Sequence, residues 1–282
     1  MITQPLISIC IPVFNGEKYV AETIESVLNQ NYSNLEIIVQ DNASTDKTWL
    51  LLQSLAQFDS RLKLERNAWN CGMAANWNRV INKARGDYIM LLSADDLLEY
   101  GFLDKCVSVF QKQNVDVVTT NYFYLNGNQK VRRKMRVTSG VHQNCADLIL
   151  LYNPFFINFT LFSKQIVDRL RVGGNFFTKS YYTCDYDLWI RTFFVGAKVC
   201  YLADDFLGTY RFHDTNLSRK TKKMFRQTAL VLFSHKKKLK ECFPFVYRFT
   251  LVRLIYRVIR IVVRSRYLDW RLLRTLLREV LH

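Results

Sequence analysis

The chain has 282 residues, 49% of them apolar, with only 10 Gly and 4 Pro, a composition that supplies one sizeable core and excludes collagen-like, low-complexity or repeat architectures. Its net charge of +16 is concentrated: residues 219–282 carry 18 Lys/Arg against 3 Asp/Glu, which leaves residues 1–218 close to neutral. The seven cysteines, at 10, 71, 106, 145, 184, 200 and 242, form no CxxC pair and no zinc-like spacing with histidine. Reduced thiols and a cytoplasmic setting are therefore expected rather than a disulfide framework. No basic and then apolar leader opens the sequence, and no run approaches 18 apolar residues, so neither secretion nor a membrane span is expected.

In chain order, Leu6–Phe14 is an apolar run ended by Asn15-Gly16, as for a strand buried on both faces and followed by a turn. Ala21, Ile24, Val27 and Leu28 recur at helical spacing, and the polar stretch 30–34 separates them from a second apolar run, Leu35–Val39. The alternation continues with a helix over about 47–58, a strand over 62–64, a helix over about 74–84 and a strand over 88–92. Such alternation predicts an α/β fold with a mostly parallel sheet flanked by helices, in which ligands bind beyond the carboxyl ends of the strands.

Three of those ends are polar: Asn15, Asp41 and the pair Asp95-Asp96. Asn15 suits an ordinary strand-to-helix turn. In Gln40-Asp41-Asn42-Ala43-Ser44-Thr45-Asp46, Ser44 or Thr45 suits the cap of the following helix. Two adjacent carboxylates at the end of a buried strand repel each other and call for a positive partner. A hard divalent cation, Mg²⁺ or Mn²⁺, bridging to a diphosphate fits that need.

Taken together, PVFNGEKYV, LEIIVQDNASTD and RNAWNCGMAANWNRVINKARGDYIMLLSADD, in this order and spacing, resemble the family 2 glycosyltransferases. The resemblance covers about residues 5–218 and implies a GT-A, Rossmann-like catalytic domain that transfers a hexose from a nucleoside diphosphate sugar with inversion. By similarity Pro12, Asn15 and Asp41 line the nucleoside pocket, with Asp41 accepting from the base, and Asn70, Gly72 and Asn78 embrace the nucleotide. The acidic metal motif of the family maps to Ser93-Ala94-Asp95-Asp96. Ser93 replaces its first acid and leaves Asp95 and Asp96 as the metal candidates, with Asp95 also facing the donor.

Thr183-Cys184-Asp185-Tyr186-Asp187-Leu188-Trp189 is similar to the catalytic motif of the family, with Cys184 where Glu is usual. The match makes Asp185 the general base for the acceptor hydroxyl. The residues alone equally suit Asp185 as the N-terminal cap of an apolar helix. Leu207–His213 resembles the piece that follows the base in relatives, which implies that Arg211 contacts the diphosphate and His213 the metal or the diphosphate. No Gly-rich phosphate loop is present, against a nucleotidyltransferase. A non-catalytic module of the same fold, binding nucleotide, membrane or nucleic acid, is the alternative reading.

In the basic segment 219–282, Arg253, Arg257, Arg260 and Arg264 are spaced by four, three and four residues, and Arg271, Arg274 and Arg278 repeat the pattern, with aliphatic residues between. This predicts a basic amphipathic helical extension, and it suits an anionic membrane surface on the cytoplasmic face. Packing on the catalytic domain, a partner subunit or nucleic acid are its other possible uses; the wide apolar face argues against nucleic acid. The implied acceptor is a saccharide or lipid-linked saccharide in surface polysaccharide assembly, such as lipopolysaccharide.

Overall fold

The structure, a computed structural model, describes residues 4–133, 137–143, 149–150, 155–178, 183–214, 216, 221–265, 273–275 and 277–278. The chain opens with β1 (Ile7–Val13), α1 (Val20–Leu28), β2 (Leu35–Asp41), α2 (Thr48–Ala56), β3 (Leu62–Arg66), α3 (Met73–Ile81) and β4 (Tyr88–Leu91). Every element of the predicted alternation is present. Then come β5 (Leu97–Leu98), α4 (Phe102–Lys112), β6 (Val117–Asn126), β7 (Gln129–Arg132) and β8 (Gly140–His142). A 3₁₀ turn (Ile157–Phe159), β9 (Thr160–Ser163), α5 (Lys164–Arg169), α6 (Cys184–Phe194) and the long β10 (Val199–Phe212) follow. The last elements are α7 (Thr221–Ser234), α8 (Lys236–Cys242) and α9 (Pro244–Ser265).

One ten-stranded sheet runs in the order β3-β2-β1-β4-β9-β6-β10-β5, with β7 on β6 and β8 on β10. β3, β2, β1 and β4 are parallel, and the mainly apolar sequences of β1, β2 and β4 suit burial on both faces. Beyond β4 the sheet turns mixed: β9 is antiparallel to β4 and β6, β10 is parallel to β6, and β5 is antiparallel to β10. The parallel expectation thus describes the first half, and the short antiparallel β9 joins it to the second.

Gly208 lies where β10 receives β5 and passes over the 3₁₀ turn. A Cβ there would fall 2.2 Å from the Phe159 ring, so the close approach of strand and ring requires glycine.

The basic helices share the main core. Ala229, Val231, Leu232, Leu239, Tyr247, Leu251 and Leu254 are buried in one cluster with Trp189, Phe162 and Phe177. Burying a Val or Leu side chain contributes roughly 1.5–3 kcal/mol, so apolar packing is sufficient to hold this cationic segment against the body. Phe243 packs edge-on to Phe193 with ring centroids 4.7 Å apart, and the Lys238 ammonium lies 4.3 Å from the centre of the Phe194 ring. The side chains of Arg257, Arg260, Arg264 and Arg271 lie outside the described residues, as does the boundary at 218–219.

His235, between α7 and α8, donates from Nε2 to Asp187 Oδ1 at 2.8 Å, and Arg191 Nε reaches Asp187 Oδ2 at 2.8 Å. Thr178 donates to the same carboxylate at 3.0 Å, and Arg191 also donates to the carbonyls of Leu170 and Phe176. Burial pushes the Asp187 carboxyl up, but His235 and Arg191 outweigh it and hold the group below the usual carboxylate range. A lowered folded-state pKa means that this contribution is complete above the unfolded value and is lost as pH falls through the folded one. Asp187→Ala, which leaves the Arg191 guanidinium buried without its carboxylate, is expected to destabilise the fold by about 3–5 kcal/mol in chemical denaturation. The difference from the parent should shrink as the measurement is repeated into acid.

Candidate active site

The carboxyl ends of β1 and β2 meet through Ser44. Its N–H and hydroxyl donate to Asp41, and its hydroxyl oxygen accepts from Asn15 N at 2.9 Å. Asn15 Oδ1 accepts from Thr45 N at 2.9 Å. Asn15 and Ala43 have left-handed φ values of 51° and 60°, a conformation that costs energy in non-glycine residues and persists where the surroundings impose it. Ser44 does not cap α2, because it is engaged by Asp41. Asp46 accepts from Thr48 N at 3.0 Å instead.

Asp41 is fully buried and also receives Arg66 Nε at 3.0 Å, while the Arg66 guanidinium covers the Trp49 ring at 5.3 Å. Its carboxylate, expected from the sequence to accept from the base, is thus engaged by Ser44 and Arg66 and fixes the loop and Arg66. Pro12 is buried in β1 one residue before this loop system begins.

A carboxamide network lies beside it. Asn67 Nδ2 donates to Asn42 at 2.9 Å and to Asn76 at 2.8 Å, and Asn76 donates to the Gln40 carbonyl at 3.0 Å. Asn42 in turn donates to Asn70 Oδ1 at 2.9 Å, which also accepts from Gly72 N at 2.9 Å. Gly72 precedes α3 with φ 83°, a conformation glycine adopts at no steric cost. Asn70 and Gly72 are exposed at this rim.

Asn78 is not. It is buried, donates to the Phe177 carbonyl at 2.7 Å and accepts from Phe177 N at 2.8 Å. Where the sequence expectation has it embracing nucleotide, α3 uses it to clamp the segment that leads to α6.

At the end of β4 the two carboxylates divide their work. Asp96 is fully buried, accepts from Arg211 N at 2.9 Å and from Asn158 Nδ2, and has no outward oxygen. Burial and the neighbouring Asp95 push its carboxyl well up, against the hydrogen bonds from Arg211 and Asn158. Both oxygens of Asp96, one of the two expected metal carboxylates, are thus bonded to protein donors. Asp95 is part-exposed, and its Oδ2 lies 2.9 Å from His213 Nε2.

Arg211 Nε donates to the Asp95 carbonyl at 3.0 Å, and its guanidinium pairs with Glu22 at 2.5 Å. The Tyr19 ring stacks on His213 with centroids 5.0 Å apart and lies under Arg211 at 4.6 Å. Ser93, in the place of the first family acid, donates to Asn158 at 3.1 Å and so supports Asp96 indirectly. Tyr19, Glu22, Arg66 and Asn158 were invisible as site residues. The aromatic-to-guanidinium pairing of Tyr19 with Arg211 spans 192 positions, and nothing local in the sequence marks it.

The strand-like ends just described do not include Asp185, which starts α6 one residue after the helix begins. Thr183, not Asp185, holds the cap position and makes no side-chain capping bond. Asp185 is part-buried, and among the described residues no side chain pairs with its carboxylate. Burial raises this carboxyl above the usual range, opposed by the backbone N–H groups of Tyr186 and Asp185 itself. A raised, unpaired carboxylate is suited to taking up a proton. Cys184 is enclosed, and burial pushes its thiol up so that it stays protonated.

Among the described residues no three His, Cys, Asp or Glu side chains form a metal cluster. The pair Asp95 and His213, a part-exposed carboxylate and imidazole, fits a cation that draws its remaining ligands from phosphate oxygens and water.

The model for the family described as "Glycosyl transferase family 2" matches residues 8–180. The chain is 31% identical over 167 residues to an Escherichia coli UDP-Glc:alpha-D-GlcNAc-diphosphoundecaprenol beta-1,3-glucosyltransferase, WfgD, covering 55% of this chain and 64% of that one. Two solved structures share its fold. S. aureus TarS in complex with UDP-GlcNAc has a TM-score of 0.68 at 16% identity, covering 89% of this chain and 81% of that chain. The Pyrobaculum calidifontis mannosyltransferase PcManGT with GDP-Man and Mn²⁺ has a TM-score of 0.65 at 16% identity, covering 100% of this chain and 82% of that chain.

The Asn78 clamp yields a clear expectation. Asn78→Ala leaves the N–H and carbonyl of Phe177 unpaired in the core and should destabilise by about 2–4 kcal/mol, read as a lower denaturation midpoint. Nucleotide affinity of the folded variant, measured by calorimetry, should stay at the parent value.

Proposed function

The chain belongs to glycosyl transferase family 2, and on that footing we propose that it moves a hexose from a uridine or thymidine diphosphate to a hydroxyl of a saccharide or lipid-linked acceptor, with inversion, in surface polysaccharide assembly. The observation that supports this best is the joining of Asp95, Arg211 and His213 at the end of β4, with the Asp185 carboxylate, which no described side chain pairs, at the start of α6. WfgD, named for a UDP-glucose donor and a diphosphoundecaprenol-linked acceptor, supports the donor and acceptor classes. A peripheral position on the anionic cytoplasmic leaflet completes the reading.

In this reading the nucleoside lies against Pro12, Asn15 and the Asn70–Gly72 rim, with Asp41 shaping the pocket through Arg66. The Arg211 guanidinium, steadied by Glu22 and Tyr19, faces the diphosphate. Asp95 and His213 would hold Mg²⁺ or Mn²⁺, which when bound would stabilise the charge that gathers on the departing diphosphate. Asp185 takes the proton of the acceptor hydroxyl as its oxygen bonds to the anomeric carbon. The bond from that carbon to the diphosphate oxygen breaks on the opposite face, and one such displacement inverts the centre.

Calorimetric titration with UDP, dTDP and GDP, each with Mn²⁺ and again with chelator, tests the donor site. Binding of UDP or dTDP that chelator and Asp95→Ala both abolish is the expected result. A folded protein that binds neither at millimolar concentration would overturn the assignment. For the base, Asp185→Asn is expected to lower turnover by about 10²–10⁴-fold while leaving UDP affinity unchanged. Because the raised carboxyl disfavours ionisation in the folded state, the variant should melt at or above the parent temperature at neutral pH. The parent rate should fall as acid protonates Asp185, beginning above the ordinary carboxylate range.

A further inference from the structure

α9 has two apolar faces, and the core uses only one. Tyr247, Leu251 and Leu254 are buried. On the other side Phe245 is 87% exposed, Phe249 56%, Val252 47% and Tyr256 65%. At 3.6 residues per turn these four positions fall within an arc of about 60°, opposite the buried face. Arg248, exposed, and Arg253, part-exposed, stand on the two flanks of that arc. Lone exposed apolar residues are commonplace, whereas a row of three aromatics and a valine along three turns is a surface with an occupant.

Charge selects among the occupants. The segment that carries the row has 18 Lys/Arg against 3 Asp/Glu, and the exposed Lys237 and Lys238 lie at the start of the neighbouring α8. A second copy meeting this face would bring cation against cation, with Glu241 the nearest acid in sequence. Nucleic acid would satisfy the cations but has no use for Phe245, Phe249 and Val252, which would be left in water. An anionic bilayer satisfies both: apolar side chains enter the headgroup boundary while flanking arginines meet lipid phosphates. No described helix is long and apolar enough to cross a membrane, so the contact is one of lying on the surface.

We propose that the Phe245–Phe249–Val252–Tyr256 face of α9 is the membrane-docking surface of this protein and that its partner is an anionic lipid leaflet. The inference deepens the peripheral position proposed above and rests on it. The helix that carries the face belongs to the catalytic body, because Tyr247, Leu251 and Leu254 share its core with Trp189 and His235, just before α8, bonds Asp187 on α6. Docking through α9 therefore brings the catalytic body to the bilayer as part of one packed unit rather than on a tether.

Flotation of the full chain with vesicles of phosphatidylcholine alone, and with one-third phosphatidylglycerol, tests this, using the parent and a Phe245→Ser, Phe249→Ser, Tyr256→Ser variant. All three substituted side chains are exposed, and calorimetric UDP binding and the melting temperature verify that the variant is intact. The parent should float with the anionic vesicles only, less so at high salt, and the variant should lose at least tenfold in vesicle affinity. A parent that ignores anionic vesicles overturns the peripheral position itself. A variant that floats like the parent overturns only the assignment to this face. Light scattering that shows a parent dimer and a variant monomer, or duplex DNA binding that the three substitutions abolish, gives the face to a different occupant and overturns the proposal as well.

Discussion

Asp96 is the constraint around which the site is organised. A carboxyl with no solvent exposure must be given donors or a proton, and it receives the backbone N–H of Arg211 from β10 and the amide of Asn158 from the 3₁₀ turn. Those two bonds tie two segments distant in sequence to the end of β4. One consequence is local: with Arg211 N fixed to Asp96, the Arg211 side chain returns over Tyr19 to Glu22, and His213 falls beside Asp95. Another is architectural, since the same bonds join the parallel half of the sheet to the mixed half at the place where the chemistry is set.

The first half of the molecule was legible because its signals are local. β1, β2 and β4 are runs of apolar residues buried on both faces, and each is separated from the next by a helix with its own period. The second half was not read, for physical reasons. β10 is fourteen residues long, carries Asp204 and Asp205 in its middle and shifts register there against β6, so no clean alternation survives. β5 has two residues, Leu97 and Leu98, which become a strand only because β10 passes alongside.

The site divides in a similar way. Asp95, Arg211 and His213 were named from a motif resemblance, and they do stand together. Asp41, Asn78 and Asp96 carry the right chemistry in the right motifs, but a sequence does not tell which way a side chain points, and all three point inward to bonds with Arg66, Phe177 and Arg211. Tyr19, Glu22 and Asn158 emerge only from tertiary contact. The basic segment shows the same limit. Its charge reads as a separate tail, while its apolar half is committed to the core through Leu232, Leu239 and Tyr247.

That shared core changes what a truncation would mean. Composition invites a cut near residue 218, where charge changes abruptly, to isolate a neutral catalytic fragment. Such a cut would uncover the rings of Phe193 and Phe194 at the end of α6 and remove His235 from Asp187. The fragment would carry a newly wetted apolar surface under the very helix that presents Asp185, so its aggregation or inactivity would report on a broken core and not on a missing anchor.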